Sequence, residues 1–151
     1  MKKNFYSIAL MALFAIGMVS CDKNESPKVT IHELGYDNTK KVVAGDELHI
    51  DAEIIADHKI ASIQLIIHSE AAHMAIAKAK SASITGPLAW EVDSIYTKGY
   101  VGVKNAEFHE HLDVPAYAFP GAYHLHFKVT DMDGNQTIVE DEITVEAPII
   151  E

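Results

Sequence analysis

The chain contains no arginine: its twelve basic residues are all lysine, set against 22 acidic ones in 151 residues. A domain so short of positive charge has no basic stripe with which to neutralise phosphates, so nucleic acid is excluded as a partner. Cysteine occurs once, as Cys21, which rules out an intramolecular disulfide and a zinc site built on several thiolates. Long apolar runs are also missing. The longest, from Ile8 to Val19, falls short of the roughly 20 residues that a transmembrane helix needs. There is no glycine-rich phosphate loop and no nucleophile elbow. Nucleophilic catalysis therefore has nothing to rest on, and the expectation is a protein that binds rather than an enzyme.

What the N-terminus does have is a leader. Lys2 and Lys3 precede the apolar run, which ends in small residues before Cys21. This is the layout of a secretory signal peptide, and MVSC (18–21) resembles a bacterial lipobox, in which the cysteine is lipidated and becomes the new N-terminus. Residues 1–20 are thus expected to be removed, residues 21–27 to form the lipidated Cys21 and a polar tether, and residues 28–147 to form the folded domain. Such a protein reaches the membrane through its N-terminal lipid. The expected location is the bacterial cell envelope, as an outer-membrane lipoprotein facing the periplasm or the exterior. Two lysines and no acidic residues leave with the leader, so ten lysines remain against 22 acidic residues, a formal charge of −12. That acidity is compatible with cations, although it also serves solubility.

Beyond the tether, apolar and polar residues alternate with the period of two that marks half-buried strands. The segments KVTIHEL (28–34), VVAGDELHIDAEIIA (42–56), HKIASIQLIIHSE (58–70), Trp90 to Tyr96, FHEHLDV (108–114), AYHLHFKVT (122–130) and QTIVEDEITVE (136–146) are predicted strands. About seven short strands separated by turn signals predict an all-β sandwich. The alanine-rich stretch SEAAHMAIAKAKSAS, with Gly86-Pro87 behind it, interrupts the pattern as a short helical or loop insertion around 69–87.

The stretch PGAYHLHFKVTDMDGN (120–135) resembles the penultimate strand of an immunoglobulin-like domain, with Gly121-x-Tyr123 similar to a tyrosine corner. Together with the lipobox, SIQLIIHSE, Trp90 and FHEHLDVP, it resembles a family of small uncharacterised immunoglobulin-like lipoproteins of Bacteroidetes. The resemblance implies an antiparallel sandwich with sheets A-B-E and C-F-G, in which 28–34 is strand A, 46–54 B, 58–68 C, 108–114 E, 123–129 F and 136–145 G, and carries no assigned biochemistry.

The feature that bears on function is histidine, nine in all. His109-x-His111 lies on predicted strand E and His124-x-His126 on predicted strand F. If Leu112 and Val114 face the core, His109, His111 and Asp113 face outward. His49 and Asp51 on strand B then lie beside the first pair, while His68 on strand C lies beside the second. The two pairs fall on opposite faces of the sandwich. Residues i and i+2 of a strand project the same way about 6.5–7 Å apart, so two imidazoles can lean onto one ion at about 2.0–2.1 Å, with a third ligand from the adjacent strand. The candidate metal ligands are therefore His49, Asp51, His109 and His111 on one sheet, and His68, His124 and His126 on the other. Neutral imidazoles with an optional carboxylate suit Zn2+ or Cu2+.

Two other features compete. Trp90, Tyr96 and Tyr100 form an aromatic group that could present a stacking surface to carbohydrate or protein. Asp131-Met132-Asp133-Gly134-Asn135 opens like a calcium loop but lacks the distal glutamate, and is predicted to be a plain hairpin turn. The expected function is capture of a transition-metal ion, or its handover to an outer-membrane transporter. A carbohydrate- or protein-binding accessory module, or a structural lipoprotein, is the alternative.

Overall fold

A computed structural model of the chain describes residues 25–69 and 88–148. The leader, Cys21 and residues 70–87 of the insertion expected around 69–87 lie outside the described residues. Eight strands are present among the described residues: β1 (Lys28–Leu34), β2 (Lys41–Val43), β3 (Glu47–Ile55), β4 (Ile60–His68), β5 (Val92–Tyr96), β6 (Asn105–Asp113), β7 (Gly121–Asp131) and β8 (Gln136–Glu146). They form an all-β sandwich of two sheets, one of three strands in the order β1-β3-β6 and one of five in the order β2-β8-β7-β4-β5. No helix among the described residues is long and apolar enough to cross a membrane.

The alternation in the sequence is what places the core. On β3, Leu48, Ile50, Ala52 and Ile54 are fully buried, and on β7 so are Tyr123, Leu125, Phe127 and Val129. The residues between them face outward, because successive strand side chains point to opposite faces. Phe108 of β6 meets Phe127 of β7 edge-to-face, with centroids 4.9 Å apart, so one aromatic pair joins the two sheets. Each such ring, once buried, contributes roughly 2–3 kcal/mol. The Tyr123 hydroxyl donates to the Phe119 carbonyl at 2.9 Å, which is the bond expected of a tyrosine corner.

Two departures from the expected strands have identifiable causes. The predicted segment 42–56 divides at the Ala44–Asp46 turn. Its first part, β2, pairs in parallel with β8 of the five-stranded sheet, and its second, β3, crosses to the other sheet. The second departure is a bulge. The β1–β3 register shifts between Ile31 and Glu33, so Val29 and Ile31 pack inward but Leu34, rather than Glu33, is the next core residue. An extra residue in one strand reverses the phase of everything beyond it. Glu33 is thereby moved to the outer face. Gly35 ends the strand at φ 71, where an added Cβ would sit 2.8 Å from the Lys41 backbone nitrogen and oxygen. Its amide donates to the His49 carbonyl at 2.8 Å, fastening the bulged end of β1 to β3.

Candidate metal centre

The centre of the three-stranded sheet is a histidine platform. The β3–β6 register places His49 opposite His111 and Asp51 opposite His109. All four point outward because Leu48, Ile50 and Phe108 are taken by the core. The rings gather closely. His49 stacks on His111 with centroids 4.8 Å apart, and His109 meets His49 edge-on at 4.7 Å. His49 Nε2 is 3.4 Å from His109 Nδ1, and His111 Nε2 is 3.3 Å from His109 Nε2. Among the described residues, His49, His109 and His111 are the group of three whose ligand atoms all lie within 4.8 Å of one another.

Each imidazole has its own carboxylate. His49 Nδ1 lies 3.3 Å from Glu33, His109 Nδ1 3.3 Å from Asp51, and His111 Nδ1 3.4 Å from Glu47. A carboxylate at Nδ1 fixes the ring, holds the proton on that nitrogen and leaves Nε2 as the free electron pair. In a tetrahedral zinc site with bonds of about 2.0–2.1 Å, ligand nitrogens sit about 3.3–3.4 Å apart. The His109–His111 Nε2 separation of 3.3 Å matches that spacing, whereas His49 Nε2 lies nearest the other nitrogen of His109, Nδ1, at 3.4 Å. The donor set is thus three imidazoles, with Asp51 placed as a partner of His109. His49 is the most enclosed ligand, its side chain 19% exposed, whereas those of His109 and His111 are 56% and 50% exposed.

Sequence reasoning found His49, Asp51, His109 and His111 but missed two of the three carboxylates. Glu47 was legible, since it shares the phase of His49 and Asp51. Glu33 was not, because simple alternation assigns it to the inward set of β1 and only the bulge turns it outward. His32, on the same sheet, stands apart from the platform, 3.9 Å from Glu53.

The second histidine group is differently arranged. His68 lies opposite His124 in the β4–β7 register, with His126 beside it and 3.3 Å from Glu140. The His68 and His126 rings are parallel, stacked at 5.2 Å with planes 3° apart. Among the described residues, no three ligand atoms of this group gather as those of His49, His109 and His111 do. The expected neighbours therefore meet, but the described residues of this group do not converge.

The aromatic candidates differ in burial. Trp90 is 5% exposed and packs on Tyr123, 5.8 Å away. Tyr96 and Tyr100 lean on the Phe108 ring at 5.0 and 5.9 Å. Burial raises the pKa of both phenols, and the nearby Glu110 carboxylate adds to it. Tyr96 on the edge strand β5 and Tyr100 in the following turn are half-buried over Phe108, so part of each ring still faces solvent. The Asp131 turn is the predicted hairpin. Asp131 Oδ1 accepts from the Asp133 and Asn135 amides and Oδ2 from the Asn135 side chain, so the carboxylate is occupied in shaping the turn.

The fold and the platform can be set beside known proteins. No curated protein sequence matches the chain. Among solved structures, it is similar to OgpA from Akkermansia muciniphila, determined both as the wild type and as a catalytically inactive form with an O-glycopeptide substrate, at 8% identity and a TM-score of 0.45. It is also similar to a beta-glucosidase from Listeria innocua at 15% identity and a TM-score of 0.43. Both similarities cover 82% of this chain, but the chain spans only 30% of OgpA and 16% of the glucosidase. The sequence profile of DUF4625, a domain of unknown function, matches residues 19–146, and the chain belongs to that family.

Proposed function

We propose that this protein is a lipid-anchored envelope protein that binds one divalent transition-metal ion, Zn2+ or Cu2+, through His49, His109 and His111, for capture or for handover to an outer-membrane transporter. The carrying observation is the pairing of each platform imidazole with a carboxylate at Nδ1. Metal-ligating histidines nearly always have such partners; His58 beside Asp133 and His126 beside Glu140 have one each, but only at the platform do three partnered imidazoles gather among the described residues. The nitrogen spacing supports tetrahedral Zn2+ first, since cis ligands in a tetragonal copper site lie closer, at about 2.8–3.0 Å. Binding rather than catalysis is the role, because the ligands lie on an exposed, flat sheet face. The lipobox at Cys21 supports the anchor. The sheet order and the Tyr123 hydroxyl bond support an immunoglobulin-like sandwich of the kind the Bacteroidetes lipoproteins resemble.

The test is calorimetry on the soluble chain from residue 22 onward, which keeps every strand. One equivalent of Zn2+ is expected to bind at neutral pH. Absence of stoichiometric binding of both Zn2+ and Cu2+ would remove the proposal.

A further inference from the structure

Three ligands on one face of a sheet form the base of a coordination tetrahedron, and its fourth vertex points away from the sheet into solvent. The three carboxylates beside the rings, and His32, are engaged, while Glu107 and Asp113 flank His109 and His111 two residues away on β6. Glu33, Asp51 and Glu47 each lie at an imidazole Nδ1, and His32 stands beside Glu53. Around the platform the face is uniformly acidic. Glu47 lies directly opposite Asp113, and Glu53 directly opposite Glu107, so like charges face each other on both sides of the histidines. Such pairs weaken a sheet. The only lysine in the three strands is Lys28, at the far end of β1 opposite Ile55.

We propose that the fourth vertex is an exchangeable coordination position, filled by an imidazole carried on a positively charged surface of a metal-acceptor protein. This inference rests on the metal-binding reading. Charge selects the occupant. Three neutral imidazoles leave a charge of two on the ion, and Glu33, Glu47, Asp51, Glu53, Glu107 and Asp113 surround it. An incoming anion crosses a field that remains negative, whereas a neutral donor does not feel it and a basic surface is drawn in. The same surface would relieve the opposed pairs Glu47–Asp113 and Glu53–Glu107. Metal could then pass by ligand exchange: the acceptor imidazole forms its bond to the ion before any platform imidazole lets go, and no electron or proton need change hands.

Co2+ serves as the visible probe. One equivalent added to the protein should produce the visible bands of four-coordinate cobalt. Free imidazole should then shift these bands at millimolar concentration. Azide should require at least tenfold more at low ionic strength, with the gap narrowing in 1 M salt. In an E53Q/E107Q variant, which leaves every ligand in place, azide should gain at least threefold on imidazole. Bands that respond to neither ligand would mean that the chain itself closes the fourth vertex, and would overturn the inference while leaving metal binding intact. An azide-to-imidazole ratio unchanged by salt and by the double variant would overturn the charge selection. Should Co2+ fail to bind, calorimetric competition of the same two ligands against bound Zn2+ replaces it, since Co2+ is the weaker ion; failure of Zn2+ and Cu2+ as well would sink the metal reading and this inference with it.

Discussion

Glu33→Gln tests whether the carboxylate that the β1 bulge delivers has a role in metal affinity. The substitution is nearly isosteric, and Gln retains an oxygen to accept from the Asp37 amide, which now donates to Glu33 Oε1 at 2.9 Å. What it removes is the ionised acceptor 3.3 Å from His49 Nδ1. Two effects follow, and they differ in size. Loss of one negative charge about 7 Å from a doubly charged ion costs roughly 1 kcal/mol at the dielectric of water, or about fivefold in affinity. The Asp37 amide and His49 Nδ1 both meet the same oxygen, Oε1, so the neutral amide weakens the contact that orients the imidazole, a change that costs about 10–100-fold in total.

Zinc titrations of the wild type and E33Q, in 0.1 M and in 1 M salt, separate the two. At 1 M the Debye length is about 3 Å and the charge contribution is largely screened, while the orienting contribution persists. A loss of at least tenfold that survives high salt is expected. E53Q removes a charge from the same face without touching a platform ring, and should cost less than the charge estimate of about fivefold. If the E33Q loss vanishes in 1 M salt, or equals that of E53Q, then the Glu33–His49 contact does not orient the ligand.

Three further outcomes are expected. H109A and H111A should each lower zinc affinity by at least about a hundredfold, whereas the H124A/H126A double variant should leave it within about threefold, both read by calorimetry. D131A should destabilise the fold by about 2–3 kcal/mol in urea melts, since it removes an acceptor of three hydrogen bonds. Burial alone would raise the Asp131 pKa, but the bonds from Asn135 and Asp133 and the neighbouring His58 outweigh it and hold the carboxyl below its ordinary value. Its contribution is therefore complete above a pH of about 4 and is lost as pH falls through the folded-state value, so wild type and D131A should converge in stability on acidification. G35A should cost more than the roughly 1–2 kcal/mol of a left-handed alanine, because its Cβ also meets the Lys41 backbone, and it should weaken zinc binding as well by loosening the Gly35–His49 bond.

How far the site was legible depended on whether alternation held. On β3 and β6 it held throughout: Leu48, Ile50 and Phe108 go inward, so His49, Asp51, His109 and His111 had to share the outer face. Once both strands were known to be neighbours, the platform followed. It held along β7 and along β4 beyond the register shift between Ile60 and Ser62, and His68 does lie opposite His124. Phase, however, fixes only the face toward which a side chain points. Ring orientation depends on rotamers set by local partners, which is why two groups with the same pattern differ, one converging and the other stacking in parallel. Trp90, Tyr96 and Tyr100 were ambiguous because they lie on and around an edge strand, where either face can be the buried one.

Glu33 shows where one-dimensional reading stops. KVTIHEL alternates in sequence through Val29, Ile31 and Glu33, and that phase would bury a glutamate while exposing Leu34. The conflict between burying Glu33 and exposing Leu34 is itself a signal. Burying an unpaired carboxylate costs several kcal/mol, and exposing a leucine forfeits roughly 2 kcal/mol more, so a phase reversal between Ile31 and Leu34 is the cheaper solution. The bulge supplies it, with Gly35 at φ 71 ending the strand immediately afterwards. The same irregularity that rescues the core also aims Glu33 at His49. An alternating strand that ends in an acidic residue followed by leucine and glycine is therefore worth testing for a bulge before its outward residues are assigned, and here that test would have found the third carboxylate of the platform.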